Sequence, residues 1–340
     1  MIDAKEHDCK MNNLAIIEHV KKRLGMYLPL HDGKLSDEAW NILLHELFAD
    51  GVRAFARGDA TRLEIRCDQD TGEIAIGHDG PNGDMCQHIA NALQGNDLHK
   101  IDYPQGDYHT RYDWLTYAIL GALTKKMTIE TYADGEWRAN DIRDGKIGLE
   151  QRLLSGLLPT DTRQFVWVRF VIDSQYLPEE KGSSPYSSEF LEEVGRNLAC
   201  VYPGLRVVVD GREHVFPNGL EDVVTERMAK LGSEVLMPAR MVGSNGMSLA
   251  CGIVRRKNPG RKISGTAMVN GFKIEDRKIL QRLMECVCDC LADCRQLHSS
   301  DYEFVFVAAG RELASDGTDW SFCISPFNWC LCKLLGGFMK

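Results

Sequence analysis

Residues Trp40 to Phe55 place Leu43, Leu44, Leu47, Phe48 and Val52 at helical spacing, which predicts an amphipathic helix with one buried stripe. Glu46 and Asp50 lie within it. Two runs follow, Arg62 to Cys67 and Glu73 to Gly77, joined by Asp68-Gln69-Asp70-Thr71-Gly72. Both alternate apolar and polar residues, so they predict a pair of strands across a turn. The second runs directly into His78-Asp79-Gly80. A helix with one buried stripe followed by a pair of alternating strands points to helices that cover a sheet.

The rest of the pattern agrees with a mixed chain. Leu14 to Gly25 and Trp114 to Lys125 read as helices. Met127 to Tyr132 and Trp137 to Asn140 read as a hairpin across Ala133-Asp134-Gly135, and Phe165 to Ile172 as a β-branched and aromatic strand. Beyond the loop Gly182-Ser183-Ser184-Pro185, residues 188–200 read as a helix. Leu205 to Val209 and His214 to Phe216 form a second hairpin around Asp210-Gly211. Near Gly219 a new region begins, with strands at 235–240, 248–255, 265–269 and 302–308 and a helix over the Cys-rich segment from Ile279 to Leu291. The expected fold class is α+β: helices over one face of a mixed sheet, then a smaller β-α-β domain. The expected domains are 1–218 and 219–340.

A chain of 340 residues suits two domains, and 44% hydrophobic with 26% charged residues is an ordinary globular composition. A net charge of −9 argues against a broad basic surface for nucleic acid. One local basic run, Arg255 to Lys262, carries five cations in eight residues and reads as a solvated loop or a phosphate-contacting one. Met1 to Asn13 lacks the apolar core of a signal peptide, and no run approaches the ~18 apolar residues needed to cross a bilayer. The expectation is a cytoplasmic protein without membrane contact, whose 12 cysteines stay reduced. Cys286, Cys290 and Cys294 share one helical face but lack the paired spacing of a zinc site, so they read as small apolar residues, as do Cys330 and Cys332. His78 and His109 read as strand-end or loop residues rather than metal ligands.

Taken in order, these pieces resemble the N-terminal half of the gyrase B subunit and its topoisomerase IV relative. Residues Leu14 to Leu28, with Arg23-Leu24-Gly25-Met26-Tyr27 at their centre, are similar to that family's opening segment. His45 to Gly58 is similar to its glutamate-bearing helix, and Thr71 to Gly80 to its strand ending in Asp-Asp-Gly. Val168-Arg169-Phe170, the hairpin from Leu205 to Asn218 and Ala267-Met268-Val269-Asn270-Gly271 are similar to later family segments. The resemblance implies a GHKL-type (Bergerat) ATP-binding domain, an α/β sandwich, followed by a transducer domain of the ribosomal S5 type. It implies ATP and Mg²⁺ as cofactors, a homodimer, and DNA or a DNA-cleaving topoisomerase subunit as partners. The TOPRIM and cleavage domains are expected to be absent.

Carried onto this chain, the resemblance makes Glu46 the residue that activates water and puts Asp50 where the family has the asparagine that holds Mg²⁺. A gap-free alignment puts His78 at the carboxylate that holds the adenine amino group, while sliding by one puts Asp79 there and Pro81 in place of a glycine. Gly80 and Gly83 belong to the same motif. The glycine-rich lid over the phosphates is reduced to a Gly-x-x-His echo, Gly106 to His109, with Tyr108, Tyr112 and Asp113 nearby. The γ-phosphate lysine falls near Gly317-Thr318-Asp319, where an acid stands instead. Two functions follow as expectations: a degenerate, pseudo-ATPase member of this class, or an active Mg²⁺-dependent ATPase clamp. A free-standing DNA-binding module fits the acidic charge less well.

Overall fold

A computed structural model describes residues 14–80, 113–133, 136–143, 146–147, 152–154, 165–179, 184–231, 234–244, 247–269, 271–274, 276–292, 297, 301–310 and 321–335. The chain divides into two compact units, 1–192 with 208–213, and 193–207 with 214–340.

In the first unit, helices α1 (Leu14–Lys22), α2 (Asp37–Ala56) and α3 (Asp113–Leu123) accompany a small hairpin, β1 (Leu30–His31) and β2 (Lys34–Leu35), and a large sheet. The sheet strands are β3 (Arg62–Cys67), β4 (Glu73–His78), β5 (Thr124–Ala133), β6 (Glu136–Arg143), β7 (Lys146–Ile147), β8 (Arg152–Leu154), β9 (Phe165–Ile172), β10 (Arg206–Val209) and β11 (Arg212–His214). Their order is β11-β10-β3-β4-β9-β5-β6-β7, with β8 on β6. Asp210 and Gly211 turn the β10–β11 hairpin with φ of 46° and 86°, the left-handed pair that the expected Asp-Gly turn requires.

Strand registers align one apolar row across this sheet. Leu63 pairs with His78 and Ile65 with Ile76. Ile76 then pairs with Val168 and Ile74 with Phe170, and β9 passes the row to Met127 and Ile129 of β5. Because side chains alternate along a strand, all of these point to one face. Helix α2 lies against β3 and β4, and α1 and α2 both pack on α3. The opposite face is polar and aromatic. Glu64 is buried between Arg62 and Arg66, and Trp167 is flanked by the guanidinium groups of Arg66 at 4.7 Å and Arg169 at 5.2 Å.

The second unit holds a five-stranded sheet in the order β12-β13-β16-β14-β15: β12 (Val235–Ser244), β13 (Met247–Arg255), β14 (Lys262–Val269), β15 (Phe272–Lys273) and β16 (Tyr302–Gly310). Chain order adds α4 (Ser188–Val201), α5 (Leu220–Leu231), α6 (Arg277–Ala292) and α7 (Ser321–Leu335). β14 and β16 run parallel, and α6 lies between them in sequence, which is the anticipated β-α-β arrangement. Leu249, Cys251 and Ile253 of β13 join Leu283 and Val287 of α6 and Phe327, Cys330 and Leu331 of α7 in one apolar core. On the other face Gly252 approaches Met228 of α5. Strands covered on both faces read as continuous apolar runs, as β13 and β16 do.

Two helices depart from the sequence expectation. Residues 220–231 and 321–335 carried no helical assignment and are α5 and α7. In α5 the buried residues Leu220, Val223, Val224 and Met228 have helical spacing. In α7 Pro326 argues against a helix interior, yet Phe327, Cys330, Leu331 and Leu334 bury an apolar stripe that outweighs it.

Candidate functional site

Helix α2 begins at Ser36, whose hydroxyl accepts a hydrogen bond from the Ala39 N–H at 3.2 Å, with Asp37 and Glu38 in the first turn against the positive end of the helix dipole. Trp40, Leu43, Leu44, Leu47 and Phe48 are buried as the periodicity requires. Glu46 and Asp50, four residues apart, stand on one side of this helix. The Glu46 side chain is 36% exposed, with its Oε1 3.6 Å from His45 Nδ1.

The last residue of β4 faces this helix. His78 ends the row that contains Ile74 and Ile76, so the pleat turns its ring toward α2 rather than away. The ring is 5% exposed. Gly51 of α2 makes room for it, since a Cβ there would sit 2.9 Å from Leu63 Cδ1 and 3.2 Å from His78 Cβ. Nδ1 of His78 accepts the Gly80 N–H at 3.2 Å. The neutral ring therefore carries its proton on Nε2, which lies 3.4 Å from Asp50 Oδ2 and donates to it. Arg53 Nη2 is 4.0 Å from Asp50 Oδ1. Burial pushes the Asp50 carboxyl up, but the hydrogen bond from His78 and the charges of Arg53 and Arg57 hold it below the ordinary value of 3.8.

Asp79 points the other way. Its Oδ1 accepts the backbone N–H of Thr61 at 2.7 Å and of Arg62 at 2.8 Å, and its Oδ2 accepts the Thr61 hydroxyl at 2.6 Å. This carboxylate fastens the start of β3 to the end of β4. Gly80 is buried close beneath α2, where a Cβ would come within 2.9 Å of Ala54 Cβ. The structure puts His78, not Asp79, opposite Asp50. Period-2 alternation from Ile74 through Ile76 was the available signal. Gly51 and Arg53, which shape and charge this crevice, were missed. Their signal was a glycine inside a helix otherwise built of good helix formers.

The structure thus brings Asp50, His78 and Gly80 together, holds Glu46 on the adjoining turn, and turns Asp79 to a structural bond. Gly83 and His109 lie outside the described residues, as do Tyr108, Tyr112, the Gly317-Thr318-Asp319 segment and Cys294. Among the described residues no group of three or more His, Cys, Asp or Glu is arranged to hold a metal ion, and no helix is long and apolar enough to cross a membrane. The basic run is a turn between β13 and β14. Arg255 pairs with Glu234 at 2.7 Å, Lys262 with Glu303 at 3.5 Å, and Arg261 lies 5.8 Å from the Tyr302 ring centre.

The overall arrangement matches solved structures at low sequence identity. The B-subunit of the DNA gyrase from Myxococcus xanthus is 18% identical, with a TM-score of 0.59 over 87% of this chain and 85% of that one. The 43K ATPase domain of Thermus thermophilus gyrase B, solved with an aminocoumarin, is 14% identical, with a TM-score of 0.56 over 95% and 94%. The topoisomerase IV ATP-binding domain of Francisella tularensis, solved with a small-molecule inhibitor, is 14% identical, with a TM-score of 0.53 over 94% and 92%. No protein-family model matches the chain, and no curated protein does. The chain has the α+β fold of type IIA topoisomerase B-type ATPase and transducer modules.

Proposed function

We propose that this chain is a gyrase B-like ATPase-and-transducer module in which nucleotide affinity is weakened and hydrolysis is weak or lost. The ATPase-like part is assigned to 1–218 and the transducer-like part to 219–340. One observation carries the reading. His78 stands where the resemblance calls for the adenine-binding carboxylate, and both of its ring nitrogens are engaged by Gly80 and Asp50. Asp50, at the position of the Mg²⁺-holding asparagine, is committed to that ring and to Arg53.

Mg²⁺ takes oxygen ligands in near-ideal octahedral geometry, and Glu46 and Asp50 offer carboxylates on one side of α2. An aspartate brings a full negative charge to a site meant for a polyphosphate, where an asparagine brings none. Among the described residues the fit to adenine is poor, because a buried imidazole that is already hydrogen-bonded cannot replace a carboxylate as acceptor for an amino group. The role left to such a module is binding: a nucleotide-insensitive or weakly sensitive scaffold that acts as a homodimer or with a separate DNA-cleaving subunit.

A second reading, an active Mg²⁺-dependent clamp working with such a partner, is favoured by Glu46. It keeps a carboxylate at the water-activating position, half-exposed and one helical turn from Asp50. Calorimetric titration with Mg²⁺ and a non-hydrolysable ATP analogue separates the two. The pseudo-ATPase reading expects no binding below roughly millimolar ligand, because each lost polar contact removes about 1–3 kcal/mol. Micromolar binding overturns it. Turnover that Glu46→Ala abolishes while binding persists then establishes the clamp.

A further inference from the structure

The sequence singles out a cluster of cysteines that the nucleotide site does not use. The structure partners one of them in an unforeseen way. Cys290 of α6 and Cys332 of α7 bring their Sγ atoms to 3.8 Å, across 42 residues of sequence. Their neighbours in sequence fix this approach. Leu291 and Val287 of α6 and Leu331 and Leu334 of α7 lock into the same apolar core, so the helices that carry the two thiols are held together by packing. The thiols sit at the edge of that core. Cys332 is exposed and Cys290 is partly exposed, so both are within reach of solutes.

Cys286 is partly exposed like Cys290, one turn before it on the same face of α6, and the remaining described cysteines of this unit differ. Cys200, Cys251 and Cys330 are buried, and burial pushes the Cys200 and Cys251 thiols up to about 12, where they are inert. Cys288 is exposed but lies two residues from Cys290, on another side of α6. A buried cysteine serves as a small apolar residue, and that account covers Cys251 and Cys330. It does not cover Cys332.

We infer that Cys290 and Cys332 form a redox-active dithiol, a modification site that a small-molecule disulfide of the glutathione class converts to a reversible disulfide joining α6 to α7. The Cys332 thiolate attacks one sulfur of the small disulfide, breaks its S–S bond and releases one small thiolate. The Cys290 thiolate then attacks the Cys332 sulfur and expels the second small thiolate. Two protein thiols lose two electrons and two protons, and the small disulfide is reduced to two thiols. The sulfurs must close to about 2.05 Å, which side-chain rotation about Cα–Cβ supplies in part, and proximity makes the second step intramolecular and fast. Closing a long loop constrains the unfolded chain, so the oxidised protein is the more stable form.

The test starts from the full, unmutated chain. It is equilibrated in reduced and oxidised glutathione, the free thiols are blocked, and the protein is digested and analysed by mass spectrometry without reduction. The expected result is one dominant intramolecular crosslink between the Cys290 and Cys332 peptides, reversed by dithiothreitol and accompanied by a rise of several degrees in the thermal midpoint. Cys288→Ser retains both effects, and the exposed-site variant Cys332→Ser loses both. Glutathione left as a stable adduct on Cys332, a dominant crosslink through any other cysteine, or no oxidation at either residue overturns the inference.

Discussion

The crevice between α2 and β4 and the layer beneath α6 and α7 bury chemically active side chains under opposite rules. In the first, His78 interrupts a row of Ile74 and Ile76 and is held by two hydrogen bonds, one to each ring nitrogen. In the second, Cys251 interrupts the row of Leu249 and Ile253 and packs as part of the core. The difference lies in desolvation. A buried imidazole or carboxylate without a partner loses about 1–3 kcal/mol, whereas a thiol is nearly apolar and loses little. A polar residue in a buried row therefore drags a partner with it, here Asp50. A cysteine in such a row leaves its neighbours unaltered.

That contrast can be broken at three places. The largest effect is expected where only packing acts. Phe306→Ala, in the β16 row that faces α7, should lower stability by about 3–5 kcal/mol in urea denaturation, with little dependence on pH between 4 and 8. A loss below roughly 1 kcal/mol would mean that this core is loosely packed. His78→Val comes next. It keeps the apolar row but removes the ring that bonds Asp50 and Gly80, at a loss of about 1–3 kcal/mol. Its pH signature distinguishes it. Because Asp50 ionises below its ordinary value of 3.8 in the folded chain, its stabilisation is complete above that value and drains away as pH falls through the lower, folded one. Without His78 that acid loss should be shallower, and an unchanged acid limb would show that Asp50 does not depend on this ring. Cys251→Val is the smallest, under about 1.5 kcal/mol and flat in pH, because one buried apolar group replaces another. A loss as large as that of Phe306→Ala would assign the thiol a partner it is not expected to need.

Much of the fold was legible because periodicity is local. The stripe of α2, the alternation of β3 and β4 and the Asp210-Gly211 turn each depend on neighbours within a few residues. The helix at 321–335 was not legible, because the rule against Pro326 is local while the burial of Phe327 and Leu331 that overrides it is not. In the candidate site, Glu46 and Asp50 were readable as a pair on one helix. The roles of His78 and Asp79 were not, since they are adjacent in sequence and a shift of one residue exchanges them.

By itself, the sequence determined most of the elements, their order and the α+β class, since hydrophobic spacing is a property of short segments. It also determined which acids stand on α2. Only the tertiary structure decided that His78 bonds Asp50 while Asp79 bonds Thr61 and Arg62, and that Cys290 meets Cys332 rather than its own helical neighbours. Strand pairing and helix docking bring together residues tens of positions apart, and no local pattern encodes which polar group will find which partner once water is excluded.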